Sequence, residues 1–242
     1  MKNERRFIIV QVLKEEVRLN IRNAAIKAFK AEGYQKASMR AIAGDAGMSP
    51  GNLYRYYKNK EALFGDLVQP MIDFFQSKQK GEFKMDLKMV DVNLLEHSVF
   101  IEQLMEARLD FRDELFILFL RAEGSPYVGA KEVYRAFLEE ESMKFYKSYF
   151  SSEVTLKGNM FIKAAASSIV EGFCTILEYS ESDREFYINM LEYAELMVKP
   201  AIRNLIALRD NQTKFRRISD EEIIGHFNSH HHHRGHCGSE SN

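Results

Sequence analysis

The stretch Ser38–Lys60, SMRAIAGDAGMSPGNLYRYYKNK, decides how the chain folds. Its spacing predicts a short helix, a tight turn and a second short helix. Ser38 is placed to cap the first helix, its side-chain oxygen accepting from a free backbone N–H. Met39, Ile42, Ala43 and Ala46 then fall at i, i+3, i+4 and i+7, one apolar stripe. Gly47 ends that helix, because glycine takes the left-handed conformation without steric cost. Ser49 caps the next helix and Pro50 stands in its first turn, where a missing N–H costs nothing.

The second helix, from Pro50 to about Tyr57, spans roughly 12 Å at ~1.5 Å per residue. Pro50, Leu53 and Tyr57 are expected on its inward face. Gly51, Asn52 and Arg55 then point to solvent or a groove. Two helices joined by a tight glycine-containing turn form a DNA-reading unit, with the second helix in the major groove. The same pattern also describes an ordinary helical corner.

A longer run settles which of the two is expected. Residues 14–64 resemble the DNA-binding domain of the TetR family of bacterial transcriptional regulators. The matching run is AAIKAFKAEGYQKASMRAIAGDAGMSPGNLYRYYKNKEAL. Phe29, Gly33, Tyr34, Ser38, Ile42, Ala43, Ala46, Gly47, Met48, Ser49, Gly51, Leu53, Tyr54, Tyr56, Tyr57, Lys60, Glu61 and Leu63 stand in register with that family's pattern. The resemblance is specific over the first quarter of the chain and reaches the rest only as a layout of helices. It implies an all-α fold of about nine helices. A three-helix helix-turn-helix head (residues 1–59) would precede a larger effector-binding and dimerisation domain (60–209). An extension (210–242) would come last. It also implies a homodimer on double-stranded DNA, a small-molecule effector, and repression rather than activation.

Charge is divided to match. The chain has 242 residues and a net charge of -1, which hides an asymmetry. Residues 1–65 hold 13 Lys and Arg against 6 Asp and Glu; the remainder holds 21 against 29. A basic amino-terminal segment beside an acidic body suits a polyanion-binding head. Hydrophobic content of 45% supports a packed core. Cys174 and Cys237 form neither a zinc spacing nor a disulfide framework. No run is expected to reach the ~18–20 apolar residues that cross a bilayer, and the first residues lack a signal-peptide cleavage site. A cytoplasmic protein is expected. No nucleophile elbow, phosphate loop or zinc-hydrolase motif is present, so the chain does not read as an enzyme and needs no cofactor.

Helix one is expected over about 7–32, closed by Gly33. The apolar run Phe7–Leu13 either extends it or forms an arm. Asn59 caps a helix opening at Lys60, with Pro70 expected to bend or interrupt it. Ser77–Met89 reads as a loop broken at Gly81. Further helical patterns lie at about 92–109, 112–123, 127–150, 157–180 and 183–208, with Pro200 expected to kink the last. The pattern at 112–123 is apolar nearly all round and should be buried.

Base choice falls first to Asn52, whose amide suits adenine in the major groove. Gly51 lets backbone approach a base. By resemblance, Tyr54 and Tyr56 hydrogen-bond phosphates. Lys60, at a helix start, is expected to grip a phosphate, with Ser38 and Arg40 in similar parts. Arg55 reads either as a DNA contact or as a solvated charge. Ser49 and Pro50 open the reading helix.

Two stripes of small and apolar residues mark the last helices: Phe161, Ala165, Ser168, Gly172 and Thr175, then Tyr187, Leu191, Ala194, Val198, Ala201 and Leu205. They form half of a four-helix bundle with a second copy, as the resemblance implies, or cover the subunit's own core. Phe100, Phe116, Phe119, Tyr127, Phe137 and Phe173 offer an apolar pocket lining or plain core. His97, Glu123 and Glu171 lie near them, as polar anchors or as ordinary surface. The tail suggests a different class. Six of seven His fall between His226 and His236, including His230, His232 and His236, with Cys237 directly after. Such a tract can bind a transition metal, but adjacent His project in different directions and no ligand spacing appears. A metal-responsive regulator is the alternative reading.

Overall fold

Helices account for every regular element among the described residues. The computed structural model describes residues 2–80, 99–150 and 156–200. These residues form nine α-helices. The head is α1 (Lys2–Lys36), α2 (Met39–Asp45) and α3 (Pro50–Tyr56). The body is α4 (Lys60–Lys80), α5 (Val99–Asp110), α6 (Arg112–Leu120), α7 (Ala130–Phe150), α8 (Leu156–Tyr179) and α9 (Asp183–Tyr193). A π turn at Ala194–Val198 continues α9.

The local expectations account for the head. Ser38 accepts from the Arg40 N–H and Ser49 from the Asn52 N–H, each at 3.3 Å. Gly47 has φ +71° and closes α2. Gly33 has φ +74° and breaks the ladder of α1 near its end. Both angles lie where a Cβ would clash with the backbone, which is why glycine stands there. Met39, Ile42, Ala43 and Leu53 are buried, and Ala46 is half-buried. Phe7–Leu13 continues α1 as helix rather than as an arm.

Head and body share one core. Phe29 and Tyr34 of α1 meet Phe64 of α4 edge-on, with centroids 5.0 and 5.2 Å away. Tyr127, in the α6–α7 turn, adds a fourth ring 5.8 Å from Phe64. Edge-to-face pairs place the positive rim of one ring on the negative face of the next. Polar links run alongside. Arg22 of α1 pairs with the buried Glu114 of α6, and Lys30 pairs with Asp113 at 2.6 Å. The Tyr34 N–H donates to the Arg121 carbonyl at 2.8 Å.

Several boundaries differ from the expectation. α4 runs through Pro70 without interruption and continues through Ser77 to Lys80, where a loop was expected. Pro70 lies on the exposed side of α4. α6 ends at Leu120 instead of residue 123, and α7 begins at Ala130 instead of 127. The expected final helix departs from α-geometry at Ala194–Val198, just ahead of Pro200. A proline ring crowds the carbonyl four residues back, and a wider π turn relieves it.

α8 is the most apolar described helix by length and composition. Asn159–Tyr179 reaches a mean hydropathy of 1.5 over a membrane-spanning length, which corrects the expectation that no run is long enough. Its inward face, Ile162, Ala166, Val170, Phe173 and Leu177, is buried in the core.

Candidate nucleic-acid interface

The reading helix is α3, about 10 Å long at ~1.5 Å per residue. Only Leu53 is buried on it, at 0% exposure. Gly51, Asn52, Tyr54, Arg55 and Tyr56 are exposed, as expected. Pro50 is exposed too, which corrects its assignment to the inward face. It lies a full turn before Leu53 at the open start of the helix. A Cβ added at Gly51 would meet nothing within 4 Å, so backbone there is open to an approaching surface. Tyr57 behaves as a packing residue, half-buried, its hydroxyl donating to Asp66 at 2.7 Å. Burial and that bond to a carboxylate push its pKa up to about 12.

The electrostatics suit a polyanion. Residues 46–60 contain no Asp or Glu. Arg40, Arg55 and Lys58 are exposed, and none is in an ion pair among the described residues. Lys58 was missed in the sequence. Its signal was the spacing Tyr57-Lys58-Asn59-Lys60, which places one cation in the loop beyond α3. Ser38 stands exposed at the start of α2.

Lys60 departs from its expected role. Its ammonium turns inward and donates to the carbonyls of Tyr34, Gln35 and Ala37 at 2.5, 3.1 and 2.9 Å. It also lies 4.6 Å over the Tyr34 ring. The expectation of a phosphate grip overlooked that the carbonyls at the end of α1 carry the negative end of a helix dipole. α4 is instead capped by Asn59, which accepts from the Ala62 N–H at 2.7 Å.

This head matches a known group. The family described as "Bacterial regulatory proteins, tetR family" matches residues 21–67. The chain's head is a DNA-binding domain of the TetR family. The chain is similar to an HTH-type transcriptional regulator of Staphylococcus aureus (strain bovine RF122 / ET3-1), 26% identical over 73% of this chain and 90% of that protein. It is also similar to the uncharacterized HTH-type transcriptional regulator YuxN of Bacillus subtilis, 32% identical over 43% of this chain and 39% of that one. Among solved structures, NalD of Pseudomonas aeruginosa, described as the secondary repressor of the MexAB-OprM multidrug efflux pump, aligns with a TM-score of 0.50. That alignment has 19% identity over 78% of this chain and 96% of NalD, and speaks for the fold alone. This chain is a TetR-type DNA-binding transcriptional regulator and not an enzyme.

In the body, the residues considered for an effector do not share one lining. Phe119 and Phe173 are buried, 5.3 Å apart, against the buried ring of Tyr134. Phe137 is half-buried and stacks on Tyr134 at 6.3 Å. Phe116 lies instead under the cations of Lys30 and Arg121, on the α1 side. Tyr127 presses its hydroxyl on Gly65 of α4, and Glu123 and Glu171 are exposed. His97 and the Phe100 side chain lie outside the described residues. Burial pushes the Cys174 thiol up to about 11, which keeps it unreactive. An open groove of about 420 Å³ lies elsewhere, on the head, between Asn20, Asn23 and Lys27 of α1 and Asp45–Gly47.

The two stripes divide. Phe161, Ser168, Thr175 and Tyr187 are exposed; Ala165, Leu191 and Val198 are half-buried. Gly172 is used within the chain: a Cβ there would stand 2.4 Å from the Tyr193 ring, whose hydroxyl donates to the Ser168 carbonyl at 2.8 Å. Ala194 is buried. Ala201, Leu205 and the tail candidates His230, His232, His236 and Cys237 fall outside the described residues. No group of three metal-donor side chains occurs among the described residues. Leu196, 74% exposed, was missed as an outward apolar residue. On the helical wheel Leu196 lies about 200° from the buried Ala194, so the apolar stripe passes it by.

Proposed function

We propose that this chain is a ligand-responsive repressor that acts as a homodimer on a palindromic operator in the cytoplasm. The head spans residues 1–59, the effector-binding and dimerisation body 60–209, and the extension 210–242. The supporting observation is the exposed, acid-free face of α3. Asn52 reads a base edge. Tyr54, Tyr56, Arg40 and Arg55 hold the phosphate backbone on either side, with Ser38 and the open Gly51 beside them.

A helix this short covers few base pairs. Two heads about one helical turn of DNA apart, ~34–36 Å or a multiple, supply the missing affinity and make the site an inverted repeat. The exposed apolar residues of α8 and α9, Phe161 and Tyr187, join the two copies. The effector is an apolar compound of unidentified structure that binds the body. It favours one head separation and DNA favours another, so each weakens the other's binding by the same factor.

Selection of duplexes from a random pool by the full chain tests this reading. Inverted repeats bound by two chains are expected, with the half-sites about one helical turn apart. Enrichment of asymmetric sites bound by one chain refutes it. A panel of lipophilic compounds, scored for release of the selected duplex, tests the effector.

A further inference from the structure

We infer that Lys60 is a positioning residue for DNA binding: it clamps the linker between α1 and the helix-turn-helix and touches no phosphate. An ammonium has three N–H donors and no more. In this chain all three are taken, by the carbonyls of Tyr34, Gln35 and Ala37 at 2.5, 3.1 and 2.9 Å. The carbonyls at a helix end have no partner within the helix. Swinging Lys60 out to a phosphate would give up all three bonds, two of them part-buried, and uncover the Tyr34 ring beneath it.

The same linker is held from its other side by the body. The Tyr34 N–H donates to the Arg121 carbonyl, at the end of α6, at 2.8 Å. The Gln35 side chain packs on the backbone at Gly124, 3.4 Å from where a Cβ would stand. Residues 33–37 are therefore gripped between the start of α4 and the end of α6. Ser38, the cap of α2, comes next. The angle at which α2 and α3 leave the body is set at this grip. Phosphate charge is left to Arg40, Arg55 and Lys58, whose side chains are exposed.

The inference rests on the reading of α3 as the DNA-facing helix, and the test separates the two. The full-length wild type and its variants are titrated with a fluorescent duplex, selected from a random pool by the wild type, across a range of salt concentrations. A true phosphate contact lowers the slope of log K against log salt by about 0.9 when its charge is removed. Lys60→Gln should weaken binding by about tenfold, the worth of one charge-assisted bond, and leave the slope unchanged. Lys60→Arg should weaken it as well, although arginine grips phosphate at least as firmly. A planar guanidinium does not fit three carbonyls arranged for an ammonium. A slope that falls with Lys60→Gln, or wild-type affinity in Lys60→Arg, overturns the clamp. Unfolding midpoints show whether each variant is folded; if Lys60→Gln is not, Lys60→Arg decides. Amide exchange over residues 38–42 gives a reading without DNA. It should quicken in Lys60→Arg, and unchanged exchange also overturns the proposal. If the wild type selects no duplex while exchange quickens, the DNA-facing reading of α3 fails and the clamp stands.

Discussion

Gly65→Ala tests how closely the body is fitted to α4. A Cβ at this position would stand 2.6 Å from the Tyr127 hydroxyl oxygen, 3.5 Å from its Cζ and 3.7 Å from its Cε2. Only the oxygen is too close, and clearing it takes a movement of about 1 Å to reach ordinary van der Waals separation. The Tyr127 ring would have to leave its place 5.8 Å from Phe64, in the cluster that ties head to body. Overpacking of this kind costs about 1–3 kcal/mol. Alanine in a helix interior gives back up to about 1 kcal/mol over glycine. The net expectation is a loss of about 0–2 kcal/mol.

Tyr127→Phe supplies the control. It removes the oxygen and leaves the ring carbon at an ordinary 3.5 Å. In that background Gly65→Ala should be neutral or stabilising. The coupling between the two positions should then reach about 1–3 kcal/mol, as for residues in direct contact. Urea unfolding monitored by circular dichroism measures all four proteins, at one chain concentration so that association does not shift the midpoint. Additive effects, or a stabilising Gly65→Ala with Tyr127 intact, would show that the hydroxyl does not press on α4 and refute the packing described.

Three further outcomes are expected. Asn52→Ala should relax base preference at one position of each half-site, by about 1–3 kcal/mol against the wrong base; an equal loss on every duplex in a competition assay would remove its reading role. Tyr57 titrates at about 12 in the folded chain, against an ordinary 10.0. The unfolded chain therefore loses this proton first as pH rises. Stability from this group is complete below pH 10 and drains away between pH 10 and 12, by about 1 kcal/mol once its half-exposure is allowed for. Tyr57→Phe should flatten that part of the stability profile, and an unchanged profile speaks against the bond to Asp66. Phe161→Glu, at a residue 42% exposed on α8, should yield monomers by sedimentation. A dimer of wild-type strength would place the interface elsewhere.

The sequence by itself determined the reading unit. The caps at Ser38 and Ser49, the left-handed Gly47, the proline opening α3 and the stripe of Met39, Ile42 and Ala43 each act over a few residues. Interactions of that reach are written in spacing, so α2, α3 and the exposed residues of α3 other than Pro50 were legible from it. What only the tertiary structure decided was which distant surfaces meet. Lys60 finds its acceptors more than twenty residues earlier, at the end of α1. Gly172 is small to admit Tyr193 of the same chain, Gly65 to admit Tyr127. Helical spacing shows that a face is apolar or closely approachable, but the partner depends on how helices cross.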